Sequence, residues 1–264
     1  MRILVTNDDG IHAEGLWALA GELKKVGKVT VVAPDRDQSG SGTSITLRRP
    51  LRLLKVQSRF PDVDAFSVDG TPGDSVILAL RYGIKDRVDL VVSGINEGPN
   101  LGNDVFVSGT VGAALQGYFY GIPSIAVSVA AFDDVHFSAA AVISRLIAQA
   151  INNGRLETHG ILNVNLPNIP ASGIDGIEVT GMGGRNYLDN IDPGHDGKRK
   201  YLWIVRGVPE WDVVPGSDVW ALEQNKISVT RFPNSLNGTG DDALKNVVNR
   251  LFQELKKENI KTNI

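Results

Sequence analysis

Two aspartates, Asp8 and Asp9, stand side by side in VTNDDGIH, at the point where a short apolar run stops. Adjacent carboxylates repel each other and lose hydration when buried, so such a pair is either solvated or held against something positive. Three polar loops follow strand-like runs, at residues 7–10, 34–44 and 94–109. If those runs are neighbours in one parallel sheet, their loops meet at its carboxyl edge. The meeting would gather the carboxylates of Asp8 and Asp9, the hydroxyl of Ser39 and the side-chain carbonyl of Asn96. An all-oxygen set of this kind suits one hard divalent cation, Mg²⁺ or Mn²⁺. The competing reading is structural, because acidic residues after a strand are also turn formers and helix caps. Asp241 and Asp242 form a second such pair at the start of an amphipathic segment, where a helix N-terminus favours negative charge.

Other groups carry similar alternatives. The stretch SGTVG, residues 108–112, enters a helix and could cradle an anion with its backbone N–H groups. It is equally an ordinary glycine-containing helix start, and it lacks the lysine of a GxxxxGK[ST] loop. The four histidines, His12, His136, His159 and His195, form no HExxH pattern and read as surface or packing residues. His12 is set apart only by lying three residues beyond Asp9. Tyr201 and Trp203 read as core rather than as a platform for stacking bases.

The elements that must position these groups alternate between strand and helix. Residues 2–6 read as a buried strand, and Leu16, Leu19, Ala20, Leu23 and Val26 recur at helical spacing up to Gly27, a candidate cap. A second β-branched run over 28–33 ends at Pro34, and strand-helix-strand order implies a parallel pair with a crossover. Strands follow at 51–56 and 65–68. Thr71 and Pro72 then open a helix to about residue 82. Further strands are expected at 88–93 and 124–129, and helices from about 110 and over 138–152. Beyond Gly154 the pattern shortens to pieces such as NVNLP, YLWIVRG and KISVT, and a last helix begins near Asp241. The division expected is a core over 1–153 and, over 154–264, a C-terminal part with strands for oligomerisation and a final helix on the core.

Composition limits the function classes. The chain has 264 residues, 42% of them apolar, and a formal net charge of -3, with no stripe of basic residues to advertise a nucleic-acid polymer or a membrane surface. Without cysteine, disulfides, thiolate catalysis and cysteine-ligated zinc are excluded. No signal-peptide pattern opens the sequence and no apolar run is long enough to span a bilayer, so the expected compartment is the cytoplasm.

The segments VTNDDGIHAEGL, APDRDQSGSG, SVDGTPGDSV, VVSGINEGPNLGNDVFVSGTVGAA, NVNLP and GSDVWALEQNKISVTRF, in this order, resemble the stationary-phase survival protein SurE family of metal-dependent nucleotidases. The resemblance runs from Arg2 to about Phe232. It implies an α/β fold, a Rossmann-like and mostly parallel sheet with helices on both faces, and a smaller C-terminal part that builds a homodimer or homotetramer. It also implies hydrolysis of nucleoside 5′- and 3′-monophosphates, with polyphosphate as a side substrate. The family's metal ligands fall on Asp8, Asp9, Ser39 and Asn96, and its phosphate-contacting segment on Ser108, Gly109 and Thr110. Water would be the nucleophile, oriented or deprotonated by Asp8, with Asn96 beside it. The sequence departs from the family pattern at Gly73 and Ser75, where Ala and Cys are usual, and over residues 181–206, which include GHDGKRK.

Three other classes fit less of the chain. A haloacid-dehalogenase-type phosphatase spaces its aspartates by one residue, and a receiver domain has no place for the SGIN and SGTV loops. A dinucleotide-binding oxidoreductase needs G-x-G-x-x-G after the first strand, where NDDGIH stands.

Overall fold

The computed structural model describes residues 1–156, 160–186, 189–206 and 210–232. Strand β1 (Arg2–Thr6) is followed by helix α1 (Glu14–Leu23), β2 (Lys28–Pro34), β3 (Leu53–Lys55), β4 (Asp64–Val68) and α2 (Pro72–Leu78). Next come β5 (Leu90–Glu97), α3 (Gly109–Phe119), β6 (Ser124–Ala130), α4 (Phe137–Asn152), β7 (Ile161–Pro167) and β8 (Gly176–Thr180). The chain then forms β9 (Gly184–Asn186), β10 (Asp189–His195), β11 (Lys200–Arg206), β12 (Glu210–Asp212), α5 (Asp218–Glu223) and β13 (Lys226–Phe232).

Nine strands make one sheet in the order β3-β4-β2-β1-β5-β6-β7-β13-β8. From β4 to β7 every pairing is parallel, while β3 and β13 run antiparallel to β4 and β7. Both faces are covered, which explains why the central strands read as unbroken apolar runs. Ile3 and Val5 of β1 join a core with Leu16, Leu19 and Leu23 of α1 and Ala140, Ala141 and Ala148 of α4. Leu4, pointing the other way, packs with Val76 of α2 and Ala113 of α3. The same alternation separates Val31 from Val32 and Val92 from Val91. No helix among the described residues is long and apolar enough to cross a membrane.

The chain order creates a crevice. From β1 it winds outward through β2 and β4, then returns to add β5, β6 and β7 on the other side, so the carboxyl ends of β1 and β5 flank a topological switch point. β5 reaches Glu97, beyond the end at residue 93 expected from sequence, because pairing with β6 shifts register between Ser93 and Asn96 and then resumes. Gly94 and Asn96 in that irregularity resemble the start of a loop. α1 ends at Leu23, short of Val26, and Gly27 lies beyond its cap. Thr71 does cap α2, in a reciprocal capping box with Asp74.

Beyond Gly154, β7, β13 and β8 extend the same sheet, whereas β10–β11 and β9–β12 form separate two-stranded sheets. Tyr201 and Trp203, expected in the core, are exposed on β11 and meet edge to face at 6.4 Å between ring centres. No second layer covers this ribbon among the described residues. The Asp241–Asp242 pair and the helix expected there lie outside the described residues.

The segment between β5 and α3 is fixed from below by buried polar side chains. The Asn100 N–H donates to Asn165 Oδ1 at 2.8 Å, and Asn163 and Asn165 donate to the Asn100 carbonyl at 2.8 and 3.1 Å. Asp218, fully buried at the start of α5, accepts the N–H groups of Gly102, Gly183 and Val219 at 2.8, 2.7 and 2.9 Å. Asp218→Ala leaves three backbone donors without this acceptor, so unfolding free energy should fall by about 3 kcal/mol or more in urea denaturation. A loss below about 1 kcal/mol would show that water substitutes for the carboxylate.

Candidate active site

The acidic turn is built by its neighbour. Asn7 donates its amide to the Gly10 carbonyl at 3.0 Å and accepts the Gly10 N–H at 3.2 Å, closing a tight loop directly after β1. Asp8 is thereby buried at the carboxyl edge, 3% exposed. Thr110 Oγ1 donates to Asp8 Oδ1 at 2.5 Å. The Gln38 N–H donates to the Asp8 carbonyl at 2.8 Å, which draws the loop after β2 into the same edge. Gly109 permits the approach of α3: a Cβ there would sit 2.8 Å from Asp8 Cβ and 2.9 Å from Asp8 Oδ2.

Asp9 has no comparable support on one side. Its Oδ2 is buried without a hydrogen-bond partner. Burial, reinforced by the negative charges of Asp8, Glu97 and Asp37, pushes its carboxyl up to about 8 from the ordinary 3.8. Burial also raises Asp8, although the bond from Thr110 pulls the other way. Neither aspartate forms a salt bridge with a cationic side chain among the described residues.

The two neutral donors are oriented by neighbours. Asn96, 9% exposed, donates its amide to the Gly98 carbonyl at 2.8 Å, which leaves Oδ1 as its acceptor atom. Ser39 is exposed and its Oγ donates to Asp37 Oδ1 at 2.6 Å, so its lone pairs remain for a ligand. Among the described residues no group of three or more His, Cys, Asp or Glu side chains could hold a metal ion. The candidate set is of another kind, two carboxylates with a hydroxyl and an amide carbonyl. The orphaned Oδ2 of Asp9 and the uncompensated carboxylate pair fit a hard dication held by these four residues.

At the head of α3, Ser108 Oγ accepts the Val111 N–H at 3.1 Å as the N-cap, leaving its own O–H to donate. Gly109 opens the first turn, where helical N–H groups lack internal partners. Thr110, expected beside the phosphoryl group, sets its hydroxyl on Asp8. This bond ties the start of α3 to an acidic turn 102 residues away, and nothing in local spacing announces it. His12 is exposed, and its carbonyl accepts from Arg59 at 2.9 Å.

Comparison with known proteins agrees with this architecture. The family described as Survival protein SurE matches residues 3–189. The chain belongs to the SurE family. It is 47% identical to a protein named 5′-nucleotidase SurE from Dehalococcoides mccartyi (strain CBDB1), over 87% of this chain and 88% of that one. A 5′-nucleotidase SurE from Vibrio parahaemolyticus is 40% identical over 96% of both chains. The crystal structure of the SurE protein from Aquifex aeolicus superposes with a TM-score of 0.76 at 38% identity, covering 90% of this chain and 95% of the other. The SurE family match ends at residue 189, inside the segment 181–206 expected to depart from the family pattern. At the other departure, Ser75 is buried and donates to the Thr71 carbonyl at 3.1 Å, inside the cap of α2 and not in the site.

The raised carboxyl of Asp9 gives stability a pH signature. Between about 4 and about 8 the folded protein keeps a proton that the unfolded chain releases, so the contribution is complete at low pH and lost as pH rises through about 8. Asp8 and Asp218, both raised by burial, act in the same direction, whereas Glu22, Asp62, Asp69 and Asp196 are shifted down. In chelator, thermal unfolding should therefore move to lower temperature from pH 5 to pH 8.5, and Asp9→Asn should flatten that slope. A flat or rising profile in the parent protein would contradict the electrostatics of the pair.

Proposed function

We propose that this protein is a phosphoric monoester hydrolase dependent on one divalent metal, Mg²⁺ or Mn²⁺, that converts nucleoside 5′- and 3′-monophosphates to nucleoside and phosphate. The observation that carries the proposal is the junction at Asp8, where an uncompensated carboxylate pair touches the opening turn of α3. The relatives named 5′-nucleotidase SurE support the choice of substrate. Asp8, Asp9, Ser39 and Asn96 would hold the cation, which when bound supplies Lewis-acid polarisation of the phosphoryl group and a more acidic water. The Gly109 N–H, the Ser108 hydroxyl and the dipole of α3 bind the phosphoryl oxygens and stabilise charge that grows on them during displacement.

Asp8 has the further task of orienting the attacking water. Thr110 holds Oδ1, and Oδ2 lies against Gly109, so the carboxylate faces the phosphoryl site in one fixed attitude. Water and not an aspartate is the nucleophile in this reading. Asn96 fixes the opposite side through Oδ1 while its amide is anchored to the Gly98 carbonyl. Polyphosphate, which ends in a similar terminal phosphoryl group, is the proposed side substrate.

Phosphate release from AMP should stop in EDTA and return with Mn²⁺ or Mg²⁺. Asp8→Asn should cost about 10²-fold or more in kcat at saturating Mn²⁺ while folding survives. Monophosphates should be cleaved faster than cyclic or dinucleotide diesters, and no phospho-enzyme should be trapped. Full turnover in chelator, or a trapped aspartyl phosphate, would overturn the proposal.

The assembly we propose is a homodimer, or a tetramer made from it, seated on the β10–β11 ribbon. Residues 201–205 are all exposed and all apolar or aromatic, and successive strand residues face opposite sides, so both faces of the ribbon are apolar. A second copy of the chain is the occupant that the apolar character of both faces supports. Sedimentation should show a dimer or tetramer for the parent and smaller species for Trp203→Glu; a monomeric parent would refute the assignment.

A further inference from the structure

The loop that carries Ser39 carries a second serine. Ser41 Oγ is buried and has no hydrogen-bond partner among the described residues. It lies at the junction already described: the point where a Cβ on Gly109 would sit is 2.8 Å from Ser41 Oγ, 2.8 Å from Asp8 Cβ and 2.9 Å from Asp8 Oδ2. The serine hydroxyl, the Asp8 carboxylate and the first turn of α3 therefore converge on one small volume.

The hydroxyl is kept there by the backbone and not by bonds of its own. The Ser41 N–H donates to the Gln38 carbonyl at 3.1 Å, and the Ser44 N–H to the Ser41 carbonyl at 3.2 Å. Gln38 and Gly42 fasten this turn to the site through N–H bonds to the Asp8 and Val107 carbonyls at 2.8 and 3.0 Å. Gly112 packs against the Gly42 carbonyl, where a Cβ would come within 2.1 Å. A hydroxyl buried without a partner is destabilising, and alanine would fill the same space without that cost. The unmet donor is explained by an acceptor that arrives with the ligand.

We propose that Ser41 is a substrate-binding residue whose O–H donates to a non-bridging oxygen of the phosphoryl group seated at the Gly109 end of α3. This rests on the phosphomonoesterase reading and adds to it a donor from the loop after β2, so that the phosphoryl group is gripped from both sides of the crevice. Ser41 keeps its proton and forms no bond to phosphorus, since no base is hydrogen-bonded to its Oγ. It is distinct from Ser39, whose hydroxyl is committed to Asp37.

The test compares Ser41→Ala with Ser44→Ala, which removes an exposed hydroxyl from the same turn. Ser41→Ala should weaken binding of inorganic phosphate, measured by calorimetry with and without Mn²⁺, by about 10- to 100-fold, the size of a hydrogen bond to a charged group. It should lower kcat/KM for AMP and for p-nitrophenyl phosphate by a common factor, because the phosphoryl group is all they share. Its thermal unfolding in EDTA should match or exceed the parent's, since an unpartnered donor has been removed. Ser44→Ala should leave phosphate binding unchanged. Unaltered phosphate affinity in Ser41→Ala, a loss confined to AMP, or a clear fall in unfolding temperature would each overturn the assignment. If the parent cleaves neither ester while Ser41→Ala still loses phosphate affinity, the anion subsite stands and the nucleotidase reading falls.

Discussion

A buried and a half-buried carboxylate stand next to each other at the end of the first strand, and much of the molecule is organised around that cost. An isolated buried pair of this kind would be displaced or neutralised. Here the turn is held by bonds from two directions: the Thr110 hydroxyl on the Asp8 carboxylate, from the helix after β5, and the Gln38 N–H on the Asp8 main-chain carbonyl, from the loop after β2. These bonds do not cancel the charge, since Asp9 is still pushed up to about 8. The fold thus holds a strongly anionic point that only a proton or a cation can neutralise, directly beside a helix start that attracts anions. A site with both characters is suited to holding a phosphoryl group between a cation and N–H donors.

The sheet explains how such a point can be rigid. β1 and β5 are central strands, paired on both sides and covered on both faces, so their ends cannot move independently of the core. The long segment between β5 and α3 lacks that support from strand pairing and obtains it from side chains, with Asn100, Asn163, Asn165 and Asp218 forming its floor. Polar residues are buried there because backbone groups outside a ladder still require partners.

How much of this was legible in the sequence depended on range. The parallel pairing of the early strands and the loops bearing Asp8 and Ser39 followed from local periodicity and turn residues, and Thr71 with Pro72 marked the start of α2 correctly, whereas Asn96, expected in a loop, lies on β5. The Thr110–Asp8 bond and the Asp218 cluster join residues more than a hundred positions apart, and no local pattern encodes them. Tyr201 and Trp203 were misplaced for a related reason. Alternation shows that a strand has an apolar face, but whether that face is covered depends on what packs against it.

Asp218 links two segments that are distant in sequence and whose backbones meet where a Cβ on Gly102 would sit 2.5 Å from the Gly183 carbonyl oxygen. One carboxylate holds Gly102, on the way to the helix that faces the crevice, and Gly183, at the root of the ribbons. Torque applied to the ribbons at Gly183 is therefore delivered through two short bonds to the Gly102 backbone. The joint fixes the root of the ribbons against the segment that leads into α3.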